Sequence, residues 1–203
     1  IDAAPPREFW GFTDQEELRT RLRTMGGSKM MHEVRLKNAG PEPWTTGPAA
    51  VMKDGLVLGQ HLLAYTSPGN TVDVPITIAT DLNTARQEIE IGREHNVSIN
   101  DDKYTKVSCH GTLRVTNFKD RPVHVLVTRR VLGHATAAAS EGKIRQIGLL
   151  DDSDSEGTWP TWYRGWPWWS FAVNALAEIT WDARIEKGET AVFEYDWHYF
   201  FRR

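Results

Sequence analysis

Residues 179–200 read ITWDARIEKGETAVFEYDWHYF, two runs of alternating character joined at Lys187-Gly188. In the first, Ile179, Trp181, Ala183 and Ile185 alternate with Thr180, Asp182, Arg184 and Glu186. In the second, Phe193, Tyr195, Trp197 and Tyr199 alternate with Glu194, Asp196 and His198. A two-residue period puts one set on each side of a strand, so both runs read as half-buried β-strands. The turn between them predicts a hairpin with an aromatic core face. Its polar face would bring Asp182 and Arg184 beside Glu194 and Asp196.

The same alternation recurs upstream. Met30, His32, Val34 and Leu36 alternate with Met31, Glu33, Arg35 and Lys37 before the turn at 40–43, GPEP. Further strand-like segments fall at 50–52, 57–65, 72–79, 87–93, 104–116, 123–132 and 143–149, most of them bounded by Gly, Pro, Asn or Asp. Many short strands without intervening helices predict an all-β fold, an antiparallel β-sandwich. One short N-terminal helix precedes it: Thr13 and Glu16 form a capping box, Leu18 and Leu22 follow at helical spacing, and Gly26-Gly27 ends it near Thr24. The expected organisation is an extension over 1–29 and a sandwich domain over 30–203. No repeat of fixed period is evident. Ala135 to Ser140 and the acidic run Asp151 to Glu156 read as loops.

Composition narrows the function classes. A chain of 203 residues can bury a genuine core. Its formal charge of -3 and short basic clusters, Arg129-Arg130 and Arg202-Arg203, argue against a nucleic-acid partner. The single Cys109 rules out an internal disulfide and a multi-cysteine zinc site. No stretch approaches the roughly 20 apolar residues of a membrane span. The opening IDAAPP lacks an initiator Met and reads as a processed or trimmed end, so the compartment stays open.

Four segments together resemble one family: EVRLKNAGPEPWTTGPAAV (33–51), VDVPITIATDL (72–82), HGTLRVTNFKDRPVHVLVTRRVLG (110–133) and the 179–200 stretch. They look like the C-terminal β-sandwich domain of mucoidy-inhibitor-A-like bacterial proteins, a domain of unknown function. The resemblance implies a sandwich from about Met30 to the end, and a setting at the bacterial cell envelope, periplasmic or extracellular. Its motifs are structural, and it brings no catalytic residues. The chain departs from the family in its unusually aromatic loop and in the absence of a preceding coiled-coil segment.

That loop, TWPTWYRGWPWWSFAVN over 158–174, belongs to a last quarter holding seven of the nine tryptophans. Trp162, Tyr163, Arg164, Trp166, Trp168 and Trp169 are therefore candidate binding residues, stacking on a partner protein, a second copy or a polysaccharide. The competing reading is a loop folded over an open end of the sandwich, with Phe171 and Val173 re-entering a strand. A second candidate is the polar face of 179–200. Asp182, Glu194, Asp196 and His198 could hold a divalent cation or supply an acid and a base; the plainer reading is a solvated face. Other groups fit known chemistry poorly. His110 and His124, on a predicted 110–133 hairpin, would stand roughly 13 Å apart. Cys109 faces inward beside His110, which faces outward. The acidic run 151–156 lacks the glycine and distant Glu of a calcium loop.

The sequence thus points to a non-enzymatic structural or protein-interaction domain. A carbohydrate-binding module is the alternative reading, and a metal-dependent hydrolase the third. No cofactor is implied beyond that cation.

Overall fold

The computed structural model describes residues 6–12, 16, 29–147 and 166–202. The expected helix from Thr13 lies outside them except for Glu16, which is helical. A 3-10 helix covers Arg7–Phe12. Eleven strands follow among the described residues: β1 (Met31–Lys37), β2 (Gly47–Lys53), β3 (Leu56–Leu63), β4 (Thr71–Ile78), β5 (Leu82–Ile99), β6 (Asp102–Asn117), β7 (Val123–Leu132), β8 (His134–Ala138), β9 (Lys143–Ile147), β10 (Leu176–Ile185) and β11 (Thr190–Phe201). A single short helix, α1 (Trp168–Val173), precedes β10. The fold is all-β, built from antiparallel sheets.

Where the sequence suggests one sandwich from residue 30 onward, the chain divides into two compact units, 29–83 and 84–203, the latter joined by 1–28. The larger unit holds a four-stranded sheet, β5-β6-β11-β8, and a three-stranded sheet, β7-β10-β9. The inward sets of the two sheets meet: Leu113, Val115, Phe193, Tyr195 and Trp197 from one, Val125, Val127, Ile179, Trp181 and Ile185 from the other, all at most 7 % exposed. Gly111 on β6 is there because the Tyr195 ring lies across it, where any Cβ would collide.

Neither predicted hairpin forms. β6 pairs with β11, Thr116 opposite Thr190, and β7 pairs with β10, Val123 opposite Ile185. The chain therefore leaves one sheet after Asn117 and arrives in the other at Val123, and it crosses back between Ile185 and Thr190. Alternation fixes which face of a strand is buried but not which strand lies beside it. Two further differences are local. Residues 135–138 of the segment read as a loop belong to β8, which runs along β11, and 171–173 is helical rather than strand.

The crossing is held by one residue. Asn117, with no exposed surface, donates from Nδ2 to the carbonyls of Arg121 (2.9 Å) and Ile185 (3.1 Å) and accepts at Oδ1 from the Lys119 amide (2.9 Å). Its own amide donates to Glu189 and its carbonyl accepts from Gly188, each at 2.9 Å. These bonds satisfy carbonyls that a sheet-to-sheet crossing would otherwise bury unpaired.

The smaller unit repeats this arrangement. β1 pairs with β4, Lys37 opposite Thr71, and β2 pairs with β3. Asn38, also fully buried, donates to the carbonyls of Glu42 (2.9 Å) and Thr66 (3.0 Å) and accepts from the Gly40 amide (3.1 Å). Its amide donates to Asn70 (2.9 Å) and its carbonyl accepts from Gly69 (2.7 Å). Gly69 and Gly188 carry φ of 83° and 75°, the left-handed conformation that glycine adopts without strain. Pro43 and Pro122 each stand five residues after the asparagine, and the next residues pair alike, Trp44 with Thr66 and Val123 with Ile185. The chain thus builds the same four-strand crossing twice. β5, β8, β9 and α1 are additions to the second copy.

Candidate functional site

The predicted aromatic site separates into core and surface. Trp166 and Trp169 are 8 % and 7 % exposed, whereas Trp168 is 74 % exposed; Trp162, Tyr163 and Arg164 lie outside the described residues. Phe9, from the 3-10 helix, stacks on Trp166 with centroids 4.1 Å apart and also meets Trp169 and Tyr199. Trp169 in turn meets Tyr104, and the Arg202 guanidinium lies over both rings. Glu8 anchors the helix by accepting from the Tyr199 hydroxyl (2.6 Å) and Arg93 (2.9 Å). Burial works against its ionisation, but these donors hold the carboxyl below its ordinary value. The 3-10 helix and α1 together plug one end of the larger sandwich. Two of the candidate indoles thus serve as packing.

The predicted acidic face is divided between two sheets. Asp182 on β10 pairs with His124 on β7, while Glu194, Asp196 and His198 lie on β11 in the other sheet. Asp182 therefore does not stand beside Glu194 and Asp196, because β10 and β11 are crossing partners rather than a hairpin. Arg184 binds Glu186 instead (2.8 Å). Across the β6–β11 pair, Asp196 Oδ1 accepts from His110 Nδ1 at 2.7 Å. His198 stacks on His134, 5.2 Å between centroids, with Phe200 edge-on. Burial, with Lys106 and His134 nearby, pushes the His198 imidazole down to about 4, so it is neutral near pH 7. His134 is held by the Val173 carbonyl (3.0 Å). Among the described residues no three His, Cys, Asp or Glu side chains converge as a cation site would require. Burial also pushes the Cys109 thiol up to about 12, so it is protonated near pH 7.

A buried charge network went unread in the sequence. Arg129 on β7 is 1 % exposed and crosses the core. It donates to the Tyr195 hydroxyl (2.9 Å) and to Glu88 on β5 (2.8 Å), and Tyr195 donates to the same Glu88 oxygen (2.8 Å). Burial disfavours the Glu88 carboxylate, yet Arg129 outweighs it and keeps the group below its ordinary value. The network ties three strands across two sheets. Its signal was parity: Arg129 shares the inward face with Val125, Val127 and Val131.

The remaining feature is a surface of the smaller unit. On the β2–β3 hairpin, register pairs Pro48 with Leu62 and Ala50 with Gln60, and all four are exposed. The opposite face carries Val51 and Gly59; Gly59 lies against the Ile76 carbonyl of β4, where a Cβ would approach to 2.7 Å, so that face is the inner one. Beyond a bulge at Val51/Met52, Met52 and Val57 pair, with Leu58 between the registers; they are 60 %, 55 % and 43 % exposed, and Leu62 is 62 %. Pro48, Ala50, Gln60 and Leu62, with Ala49 and His61, line an open groove. From Gly47 to Leu63 the charged residues are Lys53 and Asp54, both at the hairpin turn. The corresponding outer face of β7 and β10 is charged, with His124–Asp182 and Arg130–Glu178 pairs, and Arg145 of β9 also reaching Glu178. The exterior of an antiparallel sheet is ordinarily polar, so the β2–β3 exterior departs from the rule that β7–β10 obeys.

Comparison of the chain with protein-family models, curated proteins and solved structures returns no significant match. The class is therefore defined by architecture: an antiparallel β-sandwich protein with a duplicated four-strand crossing.

Proposed function

We propose that the chain is a non-enzymatic interaction module whose contact surface lies on the smaller unit. The observation that carries this reading is the uncharged, apolar exterior of β2–β3. Large exposed hydrophobic side chains cluster in the smaller unit, among them Met52, Leu56, Val57, Leu58, Leu62 and Tyr65, while its buried hydrophobic residues are Val74 and Ala79. A sheet with so little beneath it and so much apolar surface above it gains stability from a cover. The resemblance to the C-terminal sandwich of mucoidy-inhibitor-A-like proteins points the same way, since that domain brings no catalytic motif.

The titratable groups with displaced pKa values fit this reading. Glu88, Arg129 and Tyr195 satisfy one another inside the sandwich, and Glu8, Tyr199 and Arg93 pin the helix at its end. Such groups are engaged in holding structure, not poised in a cleft. For the carbohydrate alternative, Trp168 is the exposed candidate indole among the described residues, and one ring is a small platform.

Hydroxyl-radical footprinting tests the proposal. In a native cell extract Met52, Leu58 and Leu62 should be labelled several-fold less than in dilute purified protein, with Leu126 on the larger unit as reference. Equal labelling of this face in both conditions would defeat the reading.

A further inference from the structure

Resting on the interaction reading just given, we infer that the occupant of the β2–β3 exterior is the same face of a second copy of this chain. The first argument is charge. A partner presenting ionised groups would bury them against Pro48, Ala50, Met52, Val57 and Leu62 with no counter-charge on that face, which disfavours it. The same face of a second copy brings no Asp, Glu, Lys or Arg. The smaller unit as a whole is also close to neutral, so two copies approach without strong repulsion.

The second argument is geometry. Two twisted hairpins pack face to face at about 10 Å, the spacing at which one layer of Leu, Met and Val from each side fills the gap. In a two-fold arrangement each residue meets the counterpart of its partner, and a residue near the axis meets itself. Gln60 is the one polar side chain at the centre of the face, flanked by Ala50 across the pair and Leu58 and Leu62 along the strand. A carboxamide carries both donor and acceptor, so two Gln60 side chains across an axis satisfy each other. A lone Asp, Glu or Lys at that position could not. The groove beside Leu62 offers the concavity into which the opposite Leu62 fits.

Size sets the strength. One face of a single two-stranded hairpin is small beside the roughly 800 Å² per partner of a standard stable interface, so the dimer is concentration-dependent and reversible.

Sedimentation velocity on the full chain over a range from about 1 μM to 1 mM is the test. Wild type should pass from monomer to dimer within that range. Gln60→Lys and Gln60→Glu, each at an exposed position, should keep their strand-rich circular dichroism and weaken the dimer at least tenfold. An equimolar mixture of the two should recover dimer, because the axis then pairs opposite charges. Leu62→Thr, a gentler change, should weaken the dimer without charge, and Leu126→Lys on the β7 exterior should leave it unchanged.

Wild type that stays monomeric to 1 mM overturns the inference, as does a Gln60→Lys dimer as tight as wild type, or a mixture that fails to recover. If the chain is monomeric but the footprint on Met52, Leu58 and Leu62 persists in extract, the interaction reading stands with another occupant. Binding of the monomer to neutral phosphatidylcholine vesicles would name that occupant a lipid surface, again against a second copy. If neither dimer nor footprint is found, both readings fall.

Discussion

Asn38 and Asn117 make matching hydrogen bonds, Asn117 with one more to the Glu186 carbonyl at 3.2 Å, in two units that share the crossing but not what surrounds it. Around Asn117 the crossing is filled: Trp181, Ile179, Ile185 and Phe193 are nearly without exposure, β5 and β8 extend one sheet, and β9 extends the other. Around Asn38 the two sheets have two strands each, and Val74 is the largest buried apolar side chain. The comparison teaches that the asparagine crossing determines topology without determining stability. Backbone hydrogen bonding sets which strands meet, and the amount of apolar surface removed from water sets how firmly they hold. One chain can therefore carry a firm copy and a thin copy of one design, and the thin copy is the one with apolar surface to spare.

The largest expected difference lies in the cores. Trp181 is 1 % exposed and donates its indole N–H to the Ala139 carbonyl at 2.8 Å. Trp181→Ala should cost the larger unit about 3 to 5 kcal/mol, the range for deleting a large buried ring. Val74→Ala removes two methyl groups and should cost the smaller unit about 2 kcal/mol. Hydrogen exchange followed by mass spectrometry reads both units in one sample. Equal losses of protection from the two changes would mean that the cores are not unequal in the way described.

Next comes the crossing itself. Asn117→Ala leaves the Arg121 and Ile185 carbonyls without their side-chain donor, and Asn38→Ala does the same to Glu42 and Thr66. Each should cost about 2 to 3 kcal/mol, the scale for leaving buried polar groups unsatisfied. Because the bonds match, the local costs should match, yet their consequences should not. Asn38→Ala should abolish slow exchange over 29–83 while the larger unit retains much of its protection. Loss of both units together in that variant would show that they unfold as one.

How much of this was legible follows from what alternation encodes. Val123 to Leu132 is read from the sequence with its boundaries intact, and the inward parity of Phe193, Tyr195, Trp197 and Tyr199 is plain, because a two-residue period reports burial directly. Partner choice was not legible, since a strand that turns into a hairpin and one that crosses to the other sheet have the same period. The duplication was hidden for a related reason. Its markers are Asn, Pro and Gly, but the interval from Asn117 to Gly188 is more than twice that from Asn38 to Gly69, the difference being taken up by β8, β9, α1 and the residues between them. A fixed-period search cannot see it. Of the candidate metal set, Glu194, Asp196 and His198 share β11, while Asp182 lies on the other sheet because β10 pairs with β7 and not with β11.

Acid should separate the units by a smaller margin. The unfolded chain titrates His198 near 6.5, while the folded imidazole is held down to about 4 by burial, Lys106 and His134. The neutral ring's contribution is therefore complete above about 6.5 and is lost as pH falls toward 4, since the unfolded state takes the proton first. Glu8 and Glu88, with carboxyls held below 4.5, contribute stability that persists until lower pH. In the smaller unit the one resolved shift is Asp73, held below 3.8 by its hydrogen bonds from Arg35, so it too is lost only at lower pH. Between pH 6.5 and 4.5 the larger unit should weaken while the smaller one does not. In His198→Gln that slope should flatten; an unchanged slope would assign it to another group.

The smallest effect on stability is expected where the rival contact surface lies. Trp168 sits at the first position of α1 with 74 % of its surface exposed, one residue from Trp169, which is 7 % exposed and packed on Phe9 and Tyr104. Trp168→Ser should change the stability of the larger unit by no more than about 0.5 kcal/mol, as for surface positions away from caps and cores. Trp169→Ser, by contrast, should cost several kcal/mol through lost packing. If contact with other molecules belongs to the β2–β3 exterior, Trp168→Ser should leave sedimentation and footprint unchanged, whereas Leu62→Thr, equally mild in stability, alters both. Retention on a polysaccharide column, if wild type shows any, would be the property that Trp168→Ser removes. A loss of self-association in Trp168→Ser with none in Leu62→Thr would reverse the comparison, making the filled unit the contact surface and leaving the apolar β2–β3 exterior without a role.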